Sequence, residues 1–192
     1  MVGTRQLQKE KTRTAIIAAA FGVYSRQGFS APTSAIARAA RVSHGTIFVH
    51  FPTVESLLVC LLDVFARDIT AELHCLSGSG GLARLLDMHI SVLVKYEAFY
   101  RRLLTETAYL PEEVRNTFIV IQSAVSVHFL QALKNTANAG KIKKVPFPML
   151  FNTWLGLVHY YLVNGELFAP GKSVLRCHKN ALVECFMALI KK

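Results

Sequence analysis

The segment from Ser43 to His50, SHGTIFVH, carries the side chains best suited to polar recognition in this sequence. Two imidazoles and two hydroxyls can both donate and accept hydrogen bonds. A short helix with these groups fits the major groove of B-DNA, about 12 Å wide, and can meet base edges and phosphates there. Gly45 would let the backbone approach DNA closely. We predict DNA contact by the exposed members, Ser43, His44, Gly45, Thr46, Phe48 and His50; Phe48 can equally close a hydrophobic core.

Two other pairs of residues suggest metal or thiol chemistry. His74-Cys75 and Cys177-His178 lack the CxxC or HxxxH spacing that places zinc ligands on one face, so we predict no metal site. The sequence has no Gly-rich phosphate loop, nucleophile elbow or acidic pair with an adjacent base, and we predict that the chain is not an enzyme. A thiol- or zinc-dependent enzyme is one alternative. Cys60 and Cys185 are predicted to pack as small apolar residues.

Hydrophobic periodicity places the polar segment third in a series of helices. The first is predicted at 9–27, with one apolar stripe that includes Tyr24, and Gly28 ends it. The second is predicted at 33–40, with Thr33 as its N-cap, and Ser43 is the N-cap of the third. Further helices are predicted at 53–74, 82–95, 98–109, 112–138, 149–163 and 174–190. The predicted fold class is all-α.

Composition and charge narrow the class of partner. Of the 192 residues, 52% are hydrophobic and 18% charged, which excludes a disordered chain. The formal net charge is +10, and residues 1–52 hold seven basic residues against Glu10 alone. A positive charge concentrated at the front favours nucleic acid or an anionic membrane surface as partner.

A membrane-associated helical protein is the second alternative. Residues 145–165 include no Lys, Arg, Asp or Glu. Pro146 and Pro148 interrupt this stretch, however, and its helical part at 149–163 is shorter than the roughly 17 residues a span needs. We therefore predict no membrane partner. The polar, charged N-terminus is unlike a secretory signal, so we predict reduced thiols and a cytoplasmic protein.

An ordered set of segments resembles the N-terminal signature of the tetracycline-repressor (TetR) family of transcriptional regulators. The segments are 13–28, 33–37 (TSAIA), 42–51 (VSHGTIFVHF) and 55–58 (ESLL). The resemblance implies an all-helical homodimer, with a helix-turn-helix DNA-binding domain at 1–52 and an effector-binding and dimerisation domain at 53–192. It implies a repressor that leaves a palindromic operator when a small molecule binds, although activation by the same fold stays open.

The resemblance also implies roles for individual residues. By position, Thr33 matches a phosphate-contacting residue, Ser43 to Thr46 match the groove-reading start of the recognition helix, and His50 matches another phosphate contact. Three residues depart from the family's pattern. Phe48 stands where Tyr is usual, Val54 where Lys is common, and Arg41 where a turn Gly is common, although Arg41 adds positive charge beside the DNA.

The C-terminal part is where an unidentified small-molecule effector and the second protomer are expected, and no cofactor is predicted. Apolar pockets with a few polar groups are typical ligand sites. The candidate lining residues are His89, Tyr96, Tyr100, Tyr109, His128 and Trp154. Helices 149–163 and 174–190 are predicted to pack on their symmetry mates as a four-helix bundle. Its interface is predicted at Leu155, Val158, Tyr161, Leu162, Leu182 and Phe186.

Overall fold

The computed structural model describes residues 3–74, 81–137 and 142–192, and the regular structure within these ranges is helical. A 3-10 turn at Thr107–Tyr109 follows α6, and an isolated antiparallel bridge joins Ile142 to Lys191. The predicted all-α class is confirmed. The helices are α1 Thr4–Gln27, α2 Thr33–Ala40, α3 His44–His50, α4 Val54–His74, α5 Leu82–Lys95, α6 Glu97–Glu106, α7 Glu112–Ala137, α8 Phe147–Val163, α9 Gly165–Phe168 and α10 Val174–Ile190.

Some helix boundaries differ from those predicted. Helix α1 begins at Thr4 rather than at residue 9. Helix α8 begins at Phe147, because Pro148 lies in its first turn, where proline costs no hydrogen bond. Helix α9 was not predicted, since four residues are too few to show a period. The predicted end of the α7 helix at Asn138 lies outside the described residues.

The chain divides into two compact units, one of 1–64 with 98–118 and one of 65–97 with 119–192. Helices α4, α6 and α7 each contain residues of both units. The domain boundary predicted between residues 52 and 53 stays a prediction.

In the first unit, α1 packs on α2 and α2 packs on α3. Ile16 and Ala20 of α1, Ile36 of α2 and Ile47 of α3 are at most 1% exposed and form the centre of this packing. Each of the three buried isoleucines contributes about 1.5–3 kcal/mol because its apolar surface is removed from water. The short helices α2 and α3 therefore depend on tertiary packing rather than on their own length.

Side chains of helix α6 form hydrogen bonds to the turn between α1 and α2. Gly28 ends α1 with a φ of 82°, and glycine adopts such a positive φ at little cost. The next amide, that of Phe29, donates a hydrogen bond of 2.8 Å to Oε2 of Glu106. Arg102 donates to Oε1 of Glu106 and to the carbonyl of Arg26, both at 3.2 Å. These contacts fix where α2 begins.

In the second unit, aromatic rings from three helices share one core. Trp154 of α8 lies edge-on to Phe186 of α10, with ring centroids 5.3 Å apart, and Phe129 of α7 contacts Phe186 at 6.1 Å. Helix α10 begins where the carboxylate of Glu97 accepts the amide of Val174 at 2.8 Å. This core holds α8 and α10 together and decides which of their faces remain exposed.

One helix in the described ranges, Glu112–Thr136, is long and apolar enough to cross a membrane, and a third of its most apolar stretch is buried (33%). The bent pair His44–His50 and Val54–Leu73 passes the same test if it is taken as one span. One or two such helices are weak support for a span, because core helices of soluble proteins pass this test. The charge-free stretch at 145–165 contains α8, which has only 17 residues.

Candidate nucleic-acid interface

The first turn of α3 is stabilised by its own side chains. Ser43 precedes the helix in an extended conformation, and its Oγ accepts the amide of Thr46 at 3.2 Å. The two hydroxyls are also 2.7 Å apart. The predicted N-cap at Ser43 is therefore confirmed, and it ties up one of the free N–H groups at the start of this seven-residue helix.

Thr33 has a different role from the predicted one. The N-cap of α2 is Pro32, and no side chain caps this helix. Thr33 is instead the first helical residue, and its Oγ1 lies 2.7 Å from Nε2 of His44 on α3. The ring of His44 also lies edge-on to Phe48, with centroids 5.2 Å apart. The prediction of Thr33 as a cap is wrong, since its hydroxyl is directed to the neighbouring helix.

Arg41 occupies the turn between α2 and α3 in a left-handed conformation, with φ 57° and ψ 44°. Its amide donates to the carbonyl of Arg38, and the amide of Val42 donates to that of Ala37 at 3.0 Å. These two bonds form a Schellman motif, which normally takes glycine at this position. Arginine there costs about 1 kcal/mol of conformational energy. Arg41 also places an exposed positive charge beside α3.

Most candidate contact residues are accessible. Arg41, Ser43, His44, Gly45 and Phe48 are exposed, and Thr33, Thr46 and His50 are half-buried. A Cβ added at Gly45 would come no closer than 4.0 Å to its neighbours, so the space beside it is open.

Two details of α3 were not predicted. Val49 is 74% exposed beside the polar residues, and its apolar type gave no signal of such a position. At His50, Nδ1 is buried and has no hydrogen-bond partner in the described part of the chain. Half of the imidazole's hydrogen-bonding capacity at His50 is thus turned away from solvent.

The side chain of Arg13 on α1 contacts residues at the end of α3 and on α4. The guanidinium of Arg13 lies 4.6 Å from the ring centroid of Phe51, the buried residue that closes α3. Its two terminal nitrogens donate to Sγ of Cys60 at 3.3 and 3.4 Å. Cys60 is thus a half-buried acceptor rather than only a small apolar residue. Sequence spacing gave no signal of this contact, because the three residues come from three elements.

The N-terminal turns of α1 add exposed positive charge to the first unit. Arg5, Lys9 and Lys11 are exposed, with Glu10 as the acidic residue among them. In the family that the sequence resembles, Lys is common at the position of Val54. Here Val54 is the first residue of α4 and supplies no charge.

The six predicted pocket residues differ in burial and in the compact unit to which they belong. Tyr109 is 88% exposed, and a side chain this exposed does not line an enclosed pocket. Tyr100 packs on Phe118 in the first unit, at 5.8 Å, and His128 is half-buried on α7. Hydrophobic and polar types alone did not reveal these differences in burial.

The other three pocket candidates belong to the second unit. His89 and Trp154 are buried and bonded to each other. Tyr96 donates to Asp68 at 2.7 Å, and its burial, then this hydrogen bond, raise its pKa. A role of these residues in ligand binding stays a prediction.

Four of the six residues predicted for the dimer interface are buried within the chain itself, and for these four the prediction is wrong. Val158, Leu162, Leu182 and Phe186 are at most 3% exposed within the protomer, so they belong to its own core. Leu155 and Tyr161 are half-buried, and Tyr161 stacks on Phe168 at 4.4 Å. Both faces of α8 are apolar in sequence, and the pattern alone did not distinguish them.

The exposed positions of these helices carry small and apolar residues together with polar and charged ones. On α8 the exposed positions after Pro148 recur at helical spacing and are Met149, Asn152, Thr153, Gly156, Tyr160 and Val163. On α10 they are Arg176, Cys177, Asn180, Ala181, Glu184, Cys185, Ala188 and Leu189. Cys185, predicted to pack as a small apolar residue, is exposed within the chain. We call these two sets the exposed α8 and α10 faces.

Among the residues that the structure describes, no group of three or more His, Cys, Asp or Glu side chains could hold a metal ion. Cys177 is exposed and its neighbour His178 contacts the carbonyl of Phe168. Cys75 lies outside the described residues.

The arrangement of α1, α2 and α3 is that of a known structural motif. Two short helices joined by a tight turn and packed on a longer first helix form a helix-turn-helix. Residues 16–60 match the sequence model of the bacterial regulatory proteins of the tetR family. Residues 16–60 therefore carry the DNA-binding segment of the TetR family, and the resemblance seen in the sequence is confirmed.

Individual relatives agree with this assignment. The HTH-type transcriptional repressor Rv3405c of Mycobacterium tuberculosis is 32% identical over 88 residues, which are 45% of this chain and 47% of that protein. The chain thus matches about half the length of this relative. Members of the family are transcriptional regulators rather than enzymes, in agreement with the prediction that the chain is not an enzyme.

Solved structures share the fold along nearly the whole chain. A TetR family regulator from Marinobacter aquaeolei is 22% identical with a TM-score of 0.70, covering 97% of this chain and 99% of that one. PfmR from Thermus thermophilus is 15% identical with a TM-score of 0.75, covering 90% and 97%. FadR from Bacillus subtilis, solved with stearoyl-CoA, is 19% identical with a TM-score of 0.72, covering 91% and 97%. At these identities the likeness concerns the fold.

Proposed function

We propose that this chain binds double-stranded DNA as a homodimer and represses transcription from a palindromic operator. The observation that carries the proposal is the exposed, polar first turn of α3, capped by Ser43 within a helix-turn-helix. A helix of this kind enters the major groove with its N-terminal residues toward the base edges. His44, Gly45 and Thr46 are the residues we assign to base contact.

Charge in the first unit supports phosphate binding. Arg41 is exposed beside α3, and Arg5, Lys9 and Lys11 are exposed on α1. Each phosphate that such a residue neutralises releases a counterion, so affinity falls as salt rises. We assign the salt-dependent part of the affinity to these residues and sequence selection to α3.

The exposed α8 and α10 faces support a homodimer. Small residues such as Gly156 and Ala181 let helices approach closely, and apolar neighbours such as Met149 and Leu189 are 60% and 57% exposed in the protomer. Two helices from each protomer would form a four-helix bundle about a two-fold axis. A two-fold dimer reads two half-sites about 10 base pairs apart, or a multiple of that.

We further propose that a small molecule bound in the C-terminal part releases the DNA, and that the protein acts in the cytoplasm. A FadR of the same fold was solved with stearoyl-CoA, which supports a small-molecule effector as a class. The effector would change DNA affinity only by as much as it prefers one conformation of the dimer over the other.

Selection of bound duplexes from a random pool at low salt tests this function directly. We expect an enriched inverted repeat with half-sites at the stated spacing. A pool that stays random, with no preference for any duplex at low ionic strength and without added small molecules, would refute the proposal. An enriched site without symmetry would refute the dimer while leaving DNA binding intact.

A further inference from the structure

The hydroxyl of Thr33 and Nε2 of His44 lie 2.7 Å apart and connect α2 to the recognition helix α3. We propose that Thr33 is a positioning residue for base selection, which holds the His44 ring so that Nδ1 reads one base pair in the major groove. This inference rests on the proposed function and assigns a specificity determinant within the same site.

The His44 ring is fixed from two directions although the residue is exposed. Oγ1 of Thr33 engages one ring nitrogen, and the ring lies edge-on to Phe48 at an interplanar angle of 83°. An exposed side chain normally loses rotamer freedom when it binds, which lowers affinity. Here part of that ordering is present before DNA arrives, as expected for a side chain that selects between bases.

The contact also decides which nitrogen is available to DNA. With Nε2 engaged by Thr33, Nδ1 is the second polar atom of the ring in either tautomer. If the Thr33 hydroxyl donates, Nδ1 of the neutral ring carries the proton and can donate to O6 or N7 of guanine. If Nε2–H donates to Thr33, Nδ1 can accept from the amino group of adenine or cytosine. In both cases one defined atom faces the base.

The other polar residues of α3 are held differently. The Ser43 and Thr46 hydroxyls bond to each other within the first turn, which fixes the helix start but not its relation to α2. His44, by contrast, is bonded to a second helix. Its position therefore depends on the packing of α2 against α3, and a change at Thr33 reaches the base through His44.

A direct phosphate contact by Thr33 is the competing role, and it has a different signature. Losing a phosphate contact weakens binding to all sequences about equally. Losing the orientation of a base-reading ring removes discrimination at one base pair in each half-site and leaves non-specific binding unchanged. The two roles therefore separate in a specificity profile.

The experiment profiles four full-length variants against the operator selected by the wild-type protein and against every single base-pair substitution of it. The variants are Thr33→Val, which keeps the shape but removes the hydroxyl, Thr33→Ser, which keeps the hydroxyl, His44→Ala, and the Thr33→Val/His44→Ala double variant. Binding to an unrelated duplex is measured in parallel, and thermal unfolding confirms that each variant is folded.

We expect Thr33→Val and His44→Ala to lose discrimination at the same position in each half-site, by about three- to tenfold, the value of one hydrogen bond. Thr33→Ser should retain it, and the double variant should match His44→Ala. Uniform loss on all duplexes, or unchanged discrimination in Thr33→Val, would overturn the inference. If the wild-type protein selects no duplex at all, the proposed function fails first, so the two failures are distinct.

Discussion

The indole Nε1 of Trp154 donates a hydrogen bond to Nδ1 of His89 across 3.1 Å, and both side chains are buried in the second unit. A ring nitrogen that accepts a hydrogen bond is not protonated, so this pair requires that His89 stays neutral at Nδ1. Burial, and to a smaller extent the charge of His159, lowers the pKa of His89 to about 3. Burial likewise lowers the pKa of His159 to about 4.

The fold is expected to lose stability in acid because of this site. The pKa of His89 is about 3 in the folded chain and 6.5 ordinarily, so the unfolded chain binds the proton more readily. The stabilisation is complete above pH 6.5 and is lost as the pH falls toward 3. At pH 4 His89 alone should account for a loss of about 3 kcal/mol in the free energy of unfolding. Trp154 is the single tryptophan, so its emission during denaturant unfolding reports the change.

The variant His89→Gln is the control for this acid effect. Its amide oxygen can accept the Trp154 N–H but does not titrate. The difference in unfolding free energy between pH 7 and pH 4 should therefore be smaller in His89→Gln than in the wild-type protein. Equal pH dependence in both proteins would show that His89 is not responsible.

Replacing Arg41 by glycine should stabilise the first unit. The left-handed φ of 57° strains any side chain at this turn, and glycine removes a cost of about 1 kcal/mol. Differential scanning calorimetry should show a higher unfolding temperature for Arg41→Gly. Arg41→Ala removes the same charge but keeps the strain, so it should not be stabilised; a rise in both would point to charge repulsion instead.

Two substitutions at Ser43 distinguish its contribution to stability from its contribution to DNA binding. Ser43→Ala removes the acceptor for the Thr46 amide and should cost about 1 kcal/mol of unfolding free energy. Ser43→Asp restores a good cap, and its carboxylate favours the helix N-terminus, so stability should return. The same negative charge should repel phosphates. A stable Ser43→Asp protein that binds operator as well as wild type would place this turn away from DNA.

The exposed α8 face should be sensitive to a single bulky charge. A Cβ at Gly156 meets nothing within 4 Å in the protomer, so Gly156→Arg leaves the protomer fold intact. We expect analytical ultracentrifugation to show monomer, because the charge would be buried without a partner between protomers. Val120→Arg, at a 67% exposed position of α7, is the matched control and should stay dimeric. A dimeric Gly156→Arg protein would exclude this face.

Hydrophobic periodicity predicted most of the helices, because burial of one stripe is a local property of the sequence. It missed the first turns of α1, since residues 4–8 have no apolar stripe and their helix rests on the propensity of Arg, Gln and Leu. In α8 nearly every position is apolar, so the period did not show which face is buried in the protomer.

The residues of the candidate DNA interface were predicted from their types, but most of the contacts that hold them in place were not predicted. Ser43 acts within its own turn, and its role as a cap follows from sequence distance alone. The Thr33–His44 and Arg13–Cys60 contacts join residues 11 and 47 positions apart. Such pairs depend on how α1, α2, α3 and α4 pack, and the helical pattern does not specify that packing.

The exposed start of α1 has a consequence for how the molecule meets a polyanion. Arg5 lies eleven positions before Ile16, the first buried residue of the helix, or about 16 Å along its axis at 1.5 Å per residue. That separation exceeds the screening distance of about 10 Å in 0.1 M electrolyte. At this ionic strength, a charge at Arg5 has little electrostatic effect on the packing around Ile16. Changing the charge at the start of α1 can therefore alter the rate of encounter with a polyanion without altering the fold.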